Sequence, residues 1–375
     1  MHPERKRIEF LDTIRGLAAL AVLLSHSFIF AWPDRVSWFV NLPFTNLFFN
    51  GKQAVAMFFV LSGFVLSRPF CGSEGPVRTI NLPAFYVKRF TRIWLPWFFA
   101  FCLSALAQVY LFRPWTTSIP ITDWADQFWH VPMTLKNFFL QCLFLQHDAK
   151  VQLLNQDWSL GIELKASVLL PVFVFLVPGR RIIGLLAAAA TLFVFKSTGI
   201  CYVSFILGVL LARFNKFPVD WLRARSEKIR IGFFFLSLLV YQSFQLFGPT
   251  NSSWVVTSVG CVMILIASLS SRRLQALLEK RPLVFLGKIS YSVYLLQFIT
   301  ILCVLPAWVH LLNLLGFRQV YVLLPLTLLA SVSVTILMSA LSYRFVEVPC
   351  ISLGSWLSKK FSRNSKTAPV RPAVT

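Results

Sequence analysis

Charge is scarce in this sequence. Only 13% of its 375 residues are Asp, Glu, Lys or Arg, about half the share found in soluble domains, which argues against an ordinary soluble fold. Cysteine occurs seven times without a single CxxC pair. Cys71, Cys102, Cys142, Cys201, Cys261, Cys303 and Cys350 mostly fall in or beside apolar runs. They read as small buried residues, neither a disulfide framework nor a metal site. Acidic residues number 14 against 36 Lys and Arg, for a formal charge of +22. That excess suggests nucleic acid at first sight, but the basic residues collect in alternate loops, as membrane topology demands. No cleaved signal peptide is expected, because the first apolar run keeps Asp12 and Arg15 near its start and lacks a small-residue cleavage site.

Apolar residues are what the chain has in quantity: 57% are hydrophobic, with 38 Phe and 12 Trp. Runs near twenty residues recur along its length, which predicts an all-α, polytopic membrane protein. The runs give ten transmembrane helices at about 12–31, 53–70, 93–112, 166–178, 182–196, 200–213, 231–247, 254–271, 290–312 and 321–343. Lys and Arg concentrate at Arg5–Arg7, Arg68–Arg92, Arg180–Arg181, Arg213–Arg230, Arg272–Lys288 and after Arg344. Those segments share one side, and the rule that basic loops stay inside puts both termini in the cytoplasm. The membrane domain is expected to cover residues 1–358, followed by a disordered basic tail at 359–375. No internal repeat is evident between the two halves, which counts against a repeat-built transporter.

One long external connection runs from Arg113 to about Lys165. It carries Asp123, Asp126, His130, His147, Asp148, Asp157 and Glu163, and the aromatics Trp115, Trp124, Phe128, Trp129 and Trp158. A loop of that length is usually functional or disordered, and this one is too aromatic for disorder.

The first apolar run holds the most informative pattern. Eleven steps of 100° carry Arg15 round to His26 on the same helix face, about 16 Å further along the axis. Asp12 shares that face, and only Ala19 and Val22 lie between, so the polar groups look into a narrow slot. An ionisable group kept inside a bilayer is costly, and its default reading is function. The His26 imidazole suits general-base work. Metal ligation is discounted, since no second His or Cys lies at ligand spacing. Arg15 is either a cytoplasmic anchor paired with Asp12 or a guanidinium fork for a phosphate-bearing ligand.

Three further groups stand out. Ser62-Gly63 in the second run lets helices approach closely. Arg89 and Arg92 share one helix face at the cytoplasmic mouth, serving as a stop signal or as a dock for an acidic nucleotide. Ser159 and Glu163, at i and i+4, share a face on the external side. There Glu163 is either a holder of substrate hydroxyls or a solvated loop carboxylate.

These segments together resemble the membrane-bound acyltransferase family 3, which includes bacterial enzymes that O-acetylate surface glycans. The resemblance runs from Phe10 to about Pro349. It is carried by Arg15-x10-His26, Phe58-Phe-Val-Leu-Ser-Gly-Phe64, Arg89-Phe-Thr-Arg92, Trp158-Ser-Leu-Gly-Ile-Glu163 and Leu286-Gly-Lys-Ile-Ser-Tyr-Ser-Val-Tyr-Leu295. It implies a multi-pass protein of the bacterial inner membrane, with no permanently bound cofactor and acetyl-CoA or another acyl-CoA as co-substrate. Its acceptor would be a hydroxyl of a periplasmic or cell-surface glycan or glycolipid. His26 carries over as the essential histidine, acting as general base or as acyl carrier, and Arg15 as its companion. Arg15, Arg89 and Arg92 would then hold the nucleotide end of the acyl-CoA. Glu163, Trp158 and Ser159 would hold the acceptor. The partners expected are the acyl-CoA, the acceptor, membrane lipids and glycan-assembly proteins, with no nucleic acid. Two departures bear on the acceptor: Leu164-Lys-Ala-Ser167 follows Glu163 where the family has an acidic residue and an aromatic pair, and Gln297 stands where it has histidine. The competing classes are a transporter or flippase of an anionic lipid or glycan, and a non-catalytic membrane subunit.

Overall fold

The computed structural model describes residues 8–31, 37–40, 42–71, 80–112, 122–146, 148–177, 182–183, 185–186, 189 and 199–364. The fifth expected span, 182–196, lies mostly outside them, as do Arg5–Arg7, Arg35, Arg113, Trp115, His147, Arg180 and Arg181. The principal helices, in order, are α1 (Glu9–Ala31), α2 (Gly51–Ser67), α3 (Leu82–Tyr110), α4 (Asp123–Asp126), α5 (Leu135–Cys142) and α6 (Asp157–Leu176). They continue with α7 (Gly199–Phe214), α8 (Lys216–Arg223), α9 (Glu227–Tyr241), α10 (Asn251–Ser270), α11 (Arg281–Ile299), α12 (Leu305–Leu314), α13 (Val320–Ser342) and α14 (Val348–Asn364). Among the described residues there is no strand. Among the described residues, six stretches are long and apolar enough to cross a membrane, or seven if the pair α7 and α8, bent by 67°, is one span. α2 is apolar but only 17 residues long.

Several helices begin earlier than the apolar runs suggest. α3 starts at Leu82, so Lys88, Arg89 and Arg92 lie inside a helix that continues into the membrane run. α6 starts at Asp157, so Glu163 and Lys165 are helical as well. Asn81 accepts a hydrogen bond from the Ala84 amide and caps α3 one turn before its charged stretch. At the other end of the chain, α14 carries helix through Lys359 to Asn364, past the expected domain limit at 358. Residues 365–375 lie outside the description.

Two pairs of glycines bring helices together. A Cβ on Gly16 of α1 would lie 2.6 Å from the backbone nitrogen of Gly287 in α11. Conversely, a Cβ on Gly287 would collide with the Asp12 carbonyl. In the same way Gly63 of α2 lies against the Phe205 backbone of α7, and Gly208 of α7 against the Val60 carbonyl. Without a hydrophobic drive between helices in lipid, such close backbone approach is how membrane helices gain packing energy. α1 runs centrally, against α2, α11 and α13. Its apolar residues Ala19, Val22 and Leu23 are wholly or almost wholly buried.

Candidate active site

The unbroken α1 keeps Arg15 and His26 on one face, about 16 Å apart along the axis. Arg15 Nη1 lies 3.2 Å from Asp12 Oδ1. α11 runs beside this face in the same direction. Gly16 meets Gly287 at one end and His26 meets Gln297 at the other, so ten residues separate the contacts on each helix. Arg15 therefore faces the first turns of α11, and His26 its last.

At the Arg15 end, α1, α2, α3, α6 and α11 enclose a cavity of about 210 Å³. Four cations line it: Arg15, Arg89, Arg92 and Lys288. Two carboxylates, Glu163 and Glu347, line it too, leaving a formal excess of two positive charges. The basic residues are not equivalent. Arg89 is buried, with Nη2 3.0 Å from Glu163 Oε1 and Nε 3.2 Å from Ser167 Oγ. Ser62 Oγ donates to the same Glu163 oxygen at 3.1 Å. Arg92 and Lys288 are exposed. Glu347 is buried on a π-helical turn, Tyr343–Glu347, and its Oε2 accepts from Ser292 at 3.2 Å. Single π turns in helices are frequent at functional sites.

The inner end of the cavity is aromatic and hydroxylated. Ser159 Oγ and the Tyr294 hydroxyl lie 2.6 Å apart. The Phe58 ring meets Tyr294 edge-on, with centroids 5.6 Å apart. Tyr291 donates to the Ile93 carbonyl at 2.7 Å, tying α11 to α3.

His26 lies beyond this end, one helical turn further along α11. Its Nδ1 is 3.0 Å from Gln297 Oε1. Gln297 Nε2 in turn donates to the Tyr294 carbonyl at 2.9 Å. The imidazole stacks on Trp124 of α4 at 5.4 Å and 26°, and Phe298 meets it edge-on at 5.4 Å. Thr122, the N-cap of α4, donates its hydroxyl to the Ile29 carbonyl at 2.8 Å. That bond seats the long connection on the end of α1.

The expected site residues thus divide into groups. Arg15, Arg89, Arg92, Ser159 and Glu163 line one cavity, although the first three were expected at the cytoplasmic mouth and the last two on the external side. Among the described residues, hydrogen bonds link His26 to that cavity through Gln297 and Tyr294. Glu163 was expected at the external edge and instead stands level with Arg89. The reason is that α6 runs antiparallel to α3: Trp97 donates to Asp157 Oδ1 at 2.6 Å, and Tyr86 donates to the Val168 carbonyl at 3.1 Å. The long connection therefore returns into the bundle before Glu163 is reached. Trp158, expected beside the acceptor, is 42% exposed and does not line the cavity. One residue before Ser159, it leaves the helix about 100° away. Of the loop aromatics, Trp124 is the one against His26.

Lys288, Tyr291, Tyr294 and Glu347 escaped the sequence reading as site residues, and Gln297 entered it only as a departure. Lys288, Tyr291 and Tyr294 sit within a segment that already carried the resemblance. Glu347 had its own signal, being the only acidic residue after Glu279.

The sequence model of an acyltransferase domain family matches residues 8–344. An O-acetyltransferase OatA of Staphylococcus aureus strain MRSA252 is 24% identical over 400 residues, covering 96% of this chain. A putative O-acetyltransferase of S. aureus strain COL is 23% identical over 386 residues, covering 93% of this chain. The chain spans 60% and 58% of the lengths of these two relatives. No solved structure matches.

Proposed function

The chain belongs to the acyltransferase family that matches it from residue 8 to 344, and from that premise we propose that it is a membrane O-acetyltransferase. It moves an acyl group, acetyl in the simplest case, from cytoplasmic acyl-CoA to a hydroxyl of a periplasmic or cell-surface glycan or glycolipid. The observation that carries this reading is the basic cavity at one end of the α1 stripe with a histidine in line at the other. The names of the S. aureus relatives support the choice of acetyl and of oxygen as acceptor atom. In this reading the protein sits in a bacterial inner membrane with ten crossings and cytoplasmic termini, and residues 1–358 form its catalytic domain.

The phosphates of acetyl-CoA dock against Arg15, Arg92 and Lys288. Arg89, already bonded to Glu163 and Ser167, shapes the wall behind them. The pantetheine arm follows α1 past the Phe58–Tyr294 ring pair and brings the thioester to His26, so the charged nucleotide never enters the bilayer. The acceptor hydroxyl arrives from the opposite side beside Trp124, whose ring offers a face for a sugar. His26 takes the hydroxyl proton as the oxygen bonds to the thioester carbonyl carbon. The carbon–sulfur bond then breaks, and the departing CoA thiolate takes the proton from His26. An acyl-imidazole on His26 is the two-step variant of the same transfer.

The test is acetyl transfer from labelled acetyl-CoA to envelope glycans in membranes holding the full chain, His26→Ala or Arg15→Ala. His26→Ala is expected to lower transfer at least about 10²-fold, as for loss of a positioned general base. Full activity in either variant overturns the reading. Mass spectrometry of surface glycans with and without the protein identifies the acyl mass and the acceptor.

A further inference from the structure

We infer that Gln297 is a positioning residue that holds His26 as the Nδ1–H tautomer and leaves Nε2 as the nitrogen that does the chemistry. The inference rests on the reading of His26 as base or acyl carrier and adds which nitrogen acts and what selects it. Gln297 Nε2 lies 2.9 Å from the Tyr294 carbonyl oxygen. A carbonyl oxygen only accepts, so the amide nitrogen of Gln297 must face it. Reversing the amide would set two acceptors against each other. The carbonyl itself is held, because Gln156 Nε2 donates to it at 2.9 Å and to the Leu295 carbonyl at 2.8 Å.

With the amide so fixed, Gln297 Oε1 points at His26 Nδ1 across 3.0 Å. That oxygen only accepts, so Nδ1 must carry the hydrogen, and a neutral imidazole has just one. The lone pair is left on Nε2. The ring has little freedom to turn over, since Trp124 stacks on one face and Phe298 meets it edge-on. Gln297 is fully buried, so bulk water does not compete for its oxygen. An amide also orients the ring without adding a negative charge next to it, unlike the carboxylate of a serine-hydrolase triad. His26 therefore stays a neutral base that returns its proton to the leaving thiolate. The same selection serves an acyl-imidazole, where Nε2 would be the attacking atom.

The experiment uses full-length protein labelled with ¹⁵N-histidine in lipid nanodiscs, with the His26 signal assigned by its loss in His26→Ala. The wild type is expected to show the Nδ1–H form, and Gln297→Leu to lose that preference. The Tm of the leucine variant in nanodiscs is compared with wild type, and the wild-type spectrum decides the tautomer by itself, so a folding defect of the leucine variant does not decide the outcome. In the transfer assay, Gln297→Leu is expected to lower kcat roughly 10²-fold, the low end of a general base's contribution, with KM for acetyl-CoA unchanged. A wild-type signal from the Nε2–H form overturns the inference, as does a Gln297→Leu signal identical to wild type. The spectrum needs no turnover, so the tautomer and the acyl-transfer reading stand or fall separately.

Discussion

Arg89 and Arg92 come from one four-residue motif, yet the structure gives them different work. Arg89 is buried against Glu163 and Ser167, whereas Arg92 reaches the cavity from an exposed position. Removing Arg89 strands the Glu163 carboxylate in a half-buried wall. Arg89→Ala is therefore expected to lower stability by roughly 3 kcal/mol, the scale of breaking a buried pair, read as a fall in Tm of the purified protein. Arg92→Ala leaves nothing unpaired in the wall. It is expected to raise KM for acetyl-CoA by a few-fold, on the order of 1 kcal/mol for an exposed charge pair, with Tm unchanged. Helix periodicity sets both arginines on one side of α3, and that much was legible. Their division of labour was not, because it depends on Glu163, 74 residues away, and a single sequence does not say which carboxylate comes home to which cation. Ser62 repeats the lesson. Read with Gly63 as a small-residue contact, it is instead a donor to Glu163, while Gly63 alone makes the close approach to α7.

Among the elements, α1 and α11 act as one ruler. Their glycine contact sets the register, and the equal ten-residue spacing then brings Gln297 onto His26. A Cβ at position 287 has no room, since the Asp12 backbone fills the space. Gly287→Val is thus expected to push the helices apart and cost about 1–3 kcal/mol, as overpacking does in a tight core. It should also lower acetyl transfer without touching any charged group, a combination that parallel Tm and activity measurements detect. Apart from 182–196, which lies mostly outside the described residues, each apolar run falls on a helix, but the starts of α3 and α6 were not legible. The runs begin at about residues 93 and 166, whereas the helices begin at Leu82 and Asp157. Averaged hydropathy counts residues and not faces. It reads Arg89, Arg92 and Glu163 as loop because they are charged, although all three line a cavity in which Arg89 and Glu163 pair. The same blindness put Glu163 on the external side, and only the antiparallel contacts of α6 with α3 bring it to Arg89.

At the scale of the molecule, the proposed transfer makes the arrangement a relay with a nucleotide end and a sugar end. The cations Arg15, Arg92 and Lys288 gather at one end of α1, and Trp124 with His26 at the other. In that proposal the first end faces the cytoplasm, as the distribution of Lys and Arg among the loops predicts. Acetyl-CoA carries several negative charges and does not cross a bilayer unaided, so the proposed function has the two substrates met on opposite faces. Sealed vesicles test this directly. Inside-out vesicles given external labelled acetyl-CoA are expected to acetylate glycan enclosed in their lumen. Right-side-out vesicles given the same donor outside are expected to stay unlabelled until they are permeabilised. Equal labelling of both sealed preparations would mean that donor and acceptor meet on one face, and the α1 stripe would then lose its role as the path between them.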